Sequence, residues 1–158
     1  DYHFRKPNKA DGADVWEMIK DTGVLDLNSS YSYLMWCEIF SDTSIVAVRE
    51  NKIVGFISGF INPNSPDTLF IWQVAVNESE RGRGLGTQML FQLIERPICE
   101  DVHYVEATIS PSNKPSQHLF RGLARKLDTD CHVSDYFAST DFPQEGHEDE
   151  KMFRIGPF

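Results

Sequence analysis

The feature that most constrains the fold is a central stretch in which an apolar run passes through three glycines into an amphipathic segment. Residues 69–76 are apolar except for Gln73, which predicts a buried strand. Apolar residues at helical spacing follow and predict a helix with one buried face: Leu85, Met89, Leu90, Leu93 and Ile94. Between them, Gly82, Gly84 and Gly86 leave bare backbone beside the first-turn N–H groups, which favours phosphate binding.

The spacing within this turn separates it from the common nucleotide loops. Thr87 stands where the dinucleotide fingerprint has its last glycine, and the Gly-Lys-Ser/Thr ending of a P-loop is absent. Residues 81–86 read Arg-Gly-Arg-Gly-Leu-Gly, which resembles the acetyl-coenzyme A pyrophosphate loop of the GNAT superfamily of N-acetyltransferases. The alternative is an ordinary glycine-rich connection. The resemblance implies that the strand backbone holds the pantetheine arm and that loop amides hold the pyrophosphate, with predicted contacts at Val74, Ala75, Val76, Arg81, Gly82, Arg83, Gly84, Leu85, Gly86, Thr87 and Asn113.

The remaining sequence predicts an α/β fold with a single domain over residues 1–158. Predicted strands cover 2–5, 44–50, 53–61, 69–76, 104–108, 129–136 and 151–155, with a turn at Asn51-Lys52. Predicted helices cover 11–22, a segment from a cap at Asn28, Ser29 or Ser30 to about Phe40, the stretch from the glycine loop to Arg96, and a segment after 110–113. This order indicates a mixed, mostly antiparallel seven-stranded sheet with helices on both faces. The GNAT resemblance adds that strands four and five splay apart around the thioester arm.

The composition limits the partners and the compartment. Asp and Glu (24) outnumber Lys and Arg (15), which argues against nucleic acid as a partner and suits a cationic substrate or solubility in salt. Cys37, Cys99 and Cys131 lack metal-ligand spacing, so we expect no metal and reduced thiols in a cytoplasmic protein. No apolar run approaches the roughly 20 residues that cross a bilayer, so we expect no membrane partner.

An N-acetyltransferase must take a proton from its amine, stabilise the thioester oxygen and protonate the departing thiolate. Many GNAT members place a tyrosine for the last task about seven residues after the asparagine that matches Asn113, but this chain has Phe120 there. Tyr31 and Tyr136 compete for the vacated role, and His118 is expected on the solvent side of its helix. Asn113 itself is either a pantetheine contact or a plain helix N-cap.

The predicted binding site for the acceptor amine depends on one aromatic residue and two acidic positions. Trp72 either walls the acceptor site, with cation–π contact to an ammonium, or packs in the core. The run His147-Glu148-Asp149-Glu150 is either a solvated acidic loop or a recognition segment for a cationic substrate. Asp26, in the connection between the first two helices, is a candidate partner for an ammonium.

Two acceptor-side segments narrow the resemblance. Residues 25–34 and 146–150, with the Trp72 strand, are similar to the L-2,4-diaminobutyrate γ-acetyltransferase family of ectoine biosynthesis. This implies acetyl transfer from acetyl-CoA to the γ-amino group of L-2,4-diaminobutyrate by a homodimer of the osmotic stress response, with a C-terminal strand or helix at its interface. The predicted catalytic residues are Tyr31, Trp72, His147 and Glu148. The predicted substrate contacts are Asp26, Tyr31, Trp72, His147, Glu148 and Glu150.

The roles within this set form a hypothesis with alternatives. Asp26 anchors the α-ammonium, and His147 or Glu148 lies near the reacting amine, either directly or through a water. A different small cationic acceptor, a polyamine or an amino sugar, would suit the same acidic loop. A second alternative is a non-catalytic acyl-CoA-binding sensor, which the missing tyrosine makes worth testing.

Overall fold

The computed structural model describes residues 1–23 and 25–158, so Val24, which opens the predicted connection between the first two helices, lies outside the described residues. The chain forms two compact units. The first unit comprises residues 1–61 and 71–100, and the second comprises residues 62–70 and 101–158. That residues 1–158 constitute a single domain stays a prediction.

Seven strands form a mixed sheet in the order β1-β2-β3-β4-β5-β7-β6. The strands are β1 (His3–Arg5), β2 (Ile45–Arg49), β3 (Lys52–Ile61), β4 (Thr68–Val76), β5 (Tyr104–Ile109), β6 (Cys131–Phe137) and β7 (Glu150–Ile155). The α-helices are α1 (Gly12–Thr22), α2 (Ser30–Leu34), α3 (Leu85–Ile94) and α4 (Lys114–Lys126). The β4–β5 pair is parallel, whereas β1–β2, β2–β3, β5–β7 and β6–β7 are antiparallel. The predicted α/β class and mixed sheet are confirmed.

Two helix ends of the first unit lie where the sequence signals predict, whereas α2 ends at Leu34 rather than near Phe40 and α3 ends at Ile94 rather than at Arg96. Gly23 ends α1 in the left-handed conformation, with φ of 66°, and the Ser29 side chain caps α2 by accepting the N–H of Ser32. After α2 the chain continues as a π-helix over Met35–Ile39, which the sequence pattern does not predict. The buried faces meet in one core: Val15, Met18, Ile19, Tyr33, Cys37, Val46, Phe56 and Ala75.

The hairpin of β2 and β3 turns one residue earlier than predicted. Glu50 and Asn51 take φ of 52° and 63°, and Lys52 already pairs with Arg49, so the predicted Asn51-Lys52 turn is wrong. Two consecutive positive φ values define the turn type whose twist suits a two-residue hairpin. The sequence favours it only weakly, because Glu50 is a poor residue for the left-handed conformation.

Gly55 lies in β3 beside a β-bulge, at a point where α3 closely approaches the strand. A glycine inside a strand predicts either feature. The register shifts opposite this residue, and a Cβ added to it would lie 2.8 Å from the Met89 methyl of α3. The next residue, Phe56, packs edge-on against Tyr33 of α2. Successive strand residues point to opposite faces, so α2 and α3 cover opposite faces of β3.

In the second unit, the parallel ladder between β4 and β5 is short. It joins residues 68–70 to residues 104–106, and residues 71–76 of β4 continue beyond it. Strand β7 lies between β5 and β6 and is antiparallel to both. Helix α4 begins at Asn113, whose side chain accepts the N–H of Ser116, and it buries Phe120, Leu123 and Ala124. The exposed His118 lies on the solvent side, as predicted.

An ion pair with a buried carboxylate should make the first unit sensitive to acid. The two terminal nitrogens of the Arg5 guanidinium, Nη1 and Nη2, each donate a hydrogen bond of 2.8 Å to one oxygen of the Asp11 carboxylate, which lowers the pKa of Asp11 below its ordinary 3.8. The lowered pKa stabilises the fold above pH 3.8, and this contribution is lost as the pH falls through the folded value. Asp11→Asn should therefore lower the free energy of unfolding by about 2 kcal/mol at pH 7, and the difference from wild type should vanish in acid.

Urea unfolding at a series of pH values measures this difference. Asp101→Asn, at an exposed position of the second unit, removes the same formal charge and is the control. A wild-type minus Asp11→Asn difference that stays constant from pH 7 to pH 2 would contradict the linkage.

Candidate active site

The glycine loop after β4 has the backbone that an anion site requires. Gly82 and Gly84 have φ of 77° and 72°, the left-handed region that favours glycine. Gly84 is the N-cap of α3 and supplies no side chain to its first turn, so no cap side chain occupies the N–H groups there. No atom lies within 4 Å of a Cβ added at either glycine, so their backbone conformation rather than crowding makes them necessary. The loop can present its amides to a pyrophosphate.

A buried carboxylate, that of Glu80, lies directly before this loop and contacts it. Glu80, which is 1% exposed, accepts hydrogen bonds of 2.7 Å from the hydroxyls of Tyr2 and Ser79. Arg49 and Arg83 approach the same Oε1 atom at 3.3 and 3.5 Å. The hydroxyl hydrogen bonds are the main cause of a lowered pKa for Glu80. Sequence reasoning missed this residue, although an acid directly before Arg81 in a basic loop is a signal that it needs a partner.

Trp72 is held in an aromatic stack within the first unit. Its ring lies 5.1 Å from that of Trp36 at an interplanar angle of 19°, and Trp36 in turn contacts Phe40 and Phe60. Trp72 nevertheless keeps 39% of its surface exposed. One part of the ring therefore packs and the rest is exposed, and a role for Trp72 in walling the acceptor site stays a prediction.

The segment that carries Asp26 is joined to β4. The Gln73 side-chain N–H donates to the Asp26 carbonyl at 2.9 Å, and the Tyr33 hydroxyl donates to Gln73 Oε1 at 3.0 Å. Asp26 is exposed, and among the described residues its carboxylate has no hydrogen-bond or ion-pair partner. The structure thus brings Asp26 close to the strand of Trp72, while Tyr31, 68% exposed on α2, also has no hydroxyl partner in the described part of the chain.

The acidic loop of the second unit is an ordered hydrogen-bond network. Glu148 accepts from both the backbone N–H and the hydroxyl of Ser112, which ties the loop to the turn before α4. Glu150 accepts from the Thr108 hydroxyl at 2.8 Å, and its other oxygen lies 3.9 Å from His147 Nε2. The His147 ring stacks on Phe142 with centroids 3.7 Å apart. The network brings His147 and Glu150 together and leaves both Glu148 oxygens occupied.

The geometry of His147 defines which ring nitrogen can accept a proton. Nδ1 lies 2.6 Å from the Glu148 carbonyl oxygen, and because a carbonyl only accepts, Nδ1 carries a hydrogen. In the neutral ring Nε2 then has the free lone pair, with the Glu150 carboxylate 3.9 Å away to stabilise an imidazolium. This pair can act as a general base and its charge partner.

The structure shows the contacts or exposure of three further positions that the sequence analysis discussed. Asn113 caps α4, which is the plain interpretation of that residue; a pantetheine contact stays a prediction. Phe120 is 2% exposed and forms part of the α4 core, and it has no hydroxyl to protonate a thiolate. Tyr136 is 54% exposed and packs against Phe137 on β6.

The cysteines have the properties of structural thiols. All three are free, with Cys37 and Cys99 buried. Burial raises the pKa of Cys37 to about 12 and also raises the pKa of Cys99 and Cys131. A thiol so far from ionisation is a poor nucleophile. None of them is therefore suited to carry an acetyl group during a reaction.

The chain belongs to the acetyltransferase (GNAT) family, whose sequence profile matches residues 13–124. Its similar relatives are L-2,4-diaminobutyric acid acetyltransferases. The one from Virgibacillus pantothenticus is 62% identical over 96% of this chain and 95% of its own length. The one from Oceanobacillus iheyensis is 56% identical over 99% of this chain and 89% of its own length. The resemblance inferred from sequence is thus confirmed both for the GNAT superfamily and for the diaminobutyrate acetyltransferases within it.

A solved structure gives the same result in three dimensions. Diaminobutyrate acetyltransferase EctA from Paenibacillus lautus, in complex with L-2,4-diaminobutyric acid and coenzyme A, is 44% identical with a TM-score of 0.94. The match covers 99% of this chain and 95% of that one. In residues 1–23 and 25–158, no helix is long and apolar enough to cross a membrane, and no three His, Cys, Asp or Glu side chains are grouped as metal ligands.

Proposed function

We propose that this protein transfers the acetyl group of acetyl-CoA to the γ-amino group of L-2,4-diaminobutyrate, forming N-γ-acetyl-L-2,4-diaminobutyrate for ectoine biosynthesis. The observation that carries the proposal is the end-to-end likeness to a diaminobutyrate acetyltransferase solved with that amino acid and coenzyme A. The glycine loop adds an independent argument from geometry, because Gly82 and Gly84 have the backbone an anion site needs.

The coenzyme occupies the loop and the free part of β4 in this proposal. Amides of residues 81–87 hold the pyrophosphate, and the backbone of residues 74–76, which continues beyond the β4–β5 ladder, pairs with the pantetheine arm. A contact from Asn113 to the pantetheine arm is part of the same proposal. The raised pKa values of the three thiols disfavour an acetyl-enzyme on sulfur, which supports direct attack of the amine on the thioester.

The reaction requires a neutral amine and a stabilised thiolate. His147 Nε2 takes the proton from the γ-ammonium, directly or through a water, and Glu150 balances the imidazolium. The amine nitrogen then bonds to the acetyl carbon and the C–S bond breaks. The nitrogen loses its second proton as the amide forms, and the thiolate gains one, from Tyr31 or a water, so that coenzyme A leaves as a thiol. Glu148 contributes to acceptor binding mainly by holding the acidic loop of the second unit, since Ser112 donates to both its oxygens.

Binding of the amino acid must keep its α-ammonium away from the thioester. Asp26 pairs with the α-ammonium, and the exposed part of Trp72 lies against the substrate with cation–π contact. Tyr31 orients the carboxylate or protonates the thiolate. Selectivity for the γ-amine follows from anchoring the other end of the molecule.

Thiol release with purified protein and acetyl-CoA tests the proposal. L-2,4-diaminobutyrate should be acetylated with a kcat/KM at least about 100-fold above putrescine and ornithine, since only it combines the short spacing with the carboxylate. Product NMR should place the acetyl group on the γ-nitrogen. Faster turnover of a polyamine or an amino sugar would favour the alternative acceptor, and tight acetyl-CoA binding without any turnover would favour the sensor.

Tyr31→Phe should lower kcat by about 100-fold if this hydroxyl protonates the departing thiolate, the usual size of a general acid contribution. Tyr136→Phe is the matched variant on β6 and should leave kcat within about twofold. Stopped-flow thiol detection at saturating substrates measures both. If the two variants keep the wild-type kcat, neither tyrosine is the acid.

We further propose a cytoplasmic homodimer. The three cysteines form no disulfide with one another, which suits this compartment. Edge strand β6 exposes Tyr136 and Phe137, which supports an interface at a C-terminal strand. Size-exclusion chromatography with light scattering tests the oligomeric state, and a monomer at micromolar concentration would argue against it.

A further inference from the structure

One polar relay connects three elements of the first unit. The backbone N–H of Asn28 donates to the Tyr33 hydroxyl at 3.4 Å, and that hydroxyl donates to Gln73 Oε1 at 3.0 Å. Gln73 Nε2 then donates to the Asp26 carbonyl at 2.9 Å. Residues 25–29, here called the Asp26 loop, are thus held at two backbone groups by two side chains outside the loop.

The hydrogen bonds of the relay can be donated in only one direction. The Asp26 carbonyl can only accept, so the Gln73 amide must present its NH₂ group to it and its oxygen to Tyr33. Tyr33 is fully buried, with its ring edge-on to Phe56. The Gln73 backbone N–H donates to the Ser58 hydroxyl at 3.2 Å. Gln73 is therefore held through its backbone by Ser58 of β3 and through its side chain by Tyr33 of α2.

Gln73 is also the only polar residue in an otherwise apolar run, residues 69–76. A polar side chain at such a position costs free energy unless it makes hydrogen bonds, and here its amide makes one at each end. Its neighbour Trp72 is fixed by the stack on Trp36. Two residues with proposed acceptor roles, Asp26 and Trp72, are thus held relative to one strand.

We infer that Gln73 and Tyr33 are positioning residues for the acceptor amino acid, because they hold the Asp26 loop in its binding conformation before the substrate arrives. The inference rests on the proposed function. Without the relay the substrate would have to order the loop on binding, which weakens affinity without changing the bound geometry. The KM for the amino acid therefore rises, whereas kcat at saturation and the KM for acetyl-CoA stay the same.

Gln73→Glu tests the hydrogen bond that the Gln73 side chain donates to the Asp26 carbonyl. A carboxylate still accepts from Tyr33 but cannot donate to the Asp26 carbonyl, so the KM for L-2,4-diaminobutyrate should rise about 10-fold, the size expected for one hydrogen bond. Tyr33→Phe removes the hydroxyl and should raise the same KM about 5-fold. Tyr104→Phe is the matched control, since its hydroxyl has no hydrogen-bond partner among the described residues.

Amide hydrogen exchange supplies a readout that does not depend on catalysis. Protection of residues 25–29 should fall about 10-fold in Gln73→Glu while that of α3 is unchanged. Gln73→Leu, which removes both hydrogen bonds without adding charge, is the second variant should the carboxylate disturb folding. A wild-type KM in Gln73→Glu and Gln73→Leu, with the wild type active, overturns the inference alone. A wild type that does not acetylate diaminobutyrate overturns the proposed function instead.

Discussion

Replacing Gly84 with valine should raise the Kd of acetyl-CoA by about 100-fold or more. Gly84 has φ of 72° and is the N-cap of α3. A β-branched residue is an outlier at such a φ, at a cost of about 1–2 kcal/mol. The loop would relax to a negative φ and turn its amides away from the pyrophosphate. Each lost hydrogen bond to a charged group costs about 1.5–3 kcal/mol, so two account for the expected change.

Gly23→Val is the matched control for this experiment. Gly23 also has a left-handed φ, 66°, and no atom lies within 4 Å of an added Cβ, but it ends α1 rather than the coenzyme loop. Both variants should lose similar thermal stability, whereas only Gly84→Val should lose affinity in isothermal titration with coenzyme A. Equal affinities in the two variants would show that the loop is not the coenzyme site.

Removing the carboxylate of Asp26 should have the second largest effect. In Asp26→Ala the KM for L-2,4-diaminobutyrate should rise about 10- to 100-fold, because a hydrogen-bonded ion pair to the α-ammonium is lost. The affinity for acetyl-CoA should not change, since the coenzyme loop makes no use of this side chain. The exposed position of the carboxylate means that the fold itself should tolerate the substitution.

Steady-state kinetics with each substrate varied in turn measures this effect. Asp21→Ala removes an equal charge from the exposed surface of α1 and should leave both KM values within about twofold. An Asp26→Ala enzyme with unchanged kinetics would exclude the anchoring role. A product acetylated partly on the α-nitrogen in Asp26→Ala would support it further, because the anchor sets which amine reaches the thioester.

Local signals in the sequence predict most of the fold. Ser29 caps α2 and Gly23 ends α1 because short-range chemistry alone fixes those positions. The π-helix at Met35–Ile39 follows no such local rule, and its Trp36 ring packs on residues distant in sequence. The turn at Glu50 and Asn51 was misplaced for a related reason, since the register of β2 against β3 determines it.

The coenzyme side of the site could be predicted better than the acceptor side. The three glycines that leave the loop backbone bare are visible in the sequence, and the structure shows positive φ at two of them, Gly82 and Gly84. A carboxylate gives no comparable indication of its partner, so Glu148 could not be distinguished from Glu150 until Ser112 and Thr108 were seen to bind them. The roles of the acceptor residues stay predictions. The relay through Gln73 was indicated in the sequence only by a lone polar residue in an apolar run.

Glu80 also makes the glycine loop less dependent on ionic strength. Its buried carboxylate takes up part of the positive charge of Arg83, so we expect the backbone N–H groups to contribute a larger share of anion binding at this loop. Attraction between exposed charges is screened beyond about 8 Å at physiological ionic strength and beyond about 3 Å in 1 M salt. Hydrogen bonds at contact distance are screened far less. We therefore expect the loop to retain its affinity for coenzyme A in a concentrated electrolyte better than a site that captures phosphate with exposed arginines.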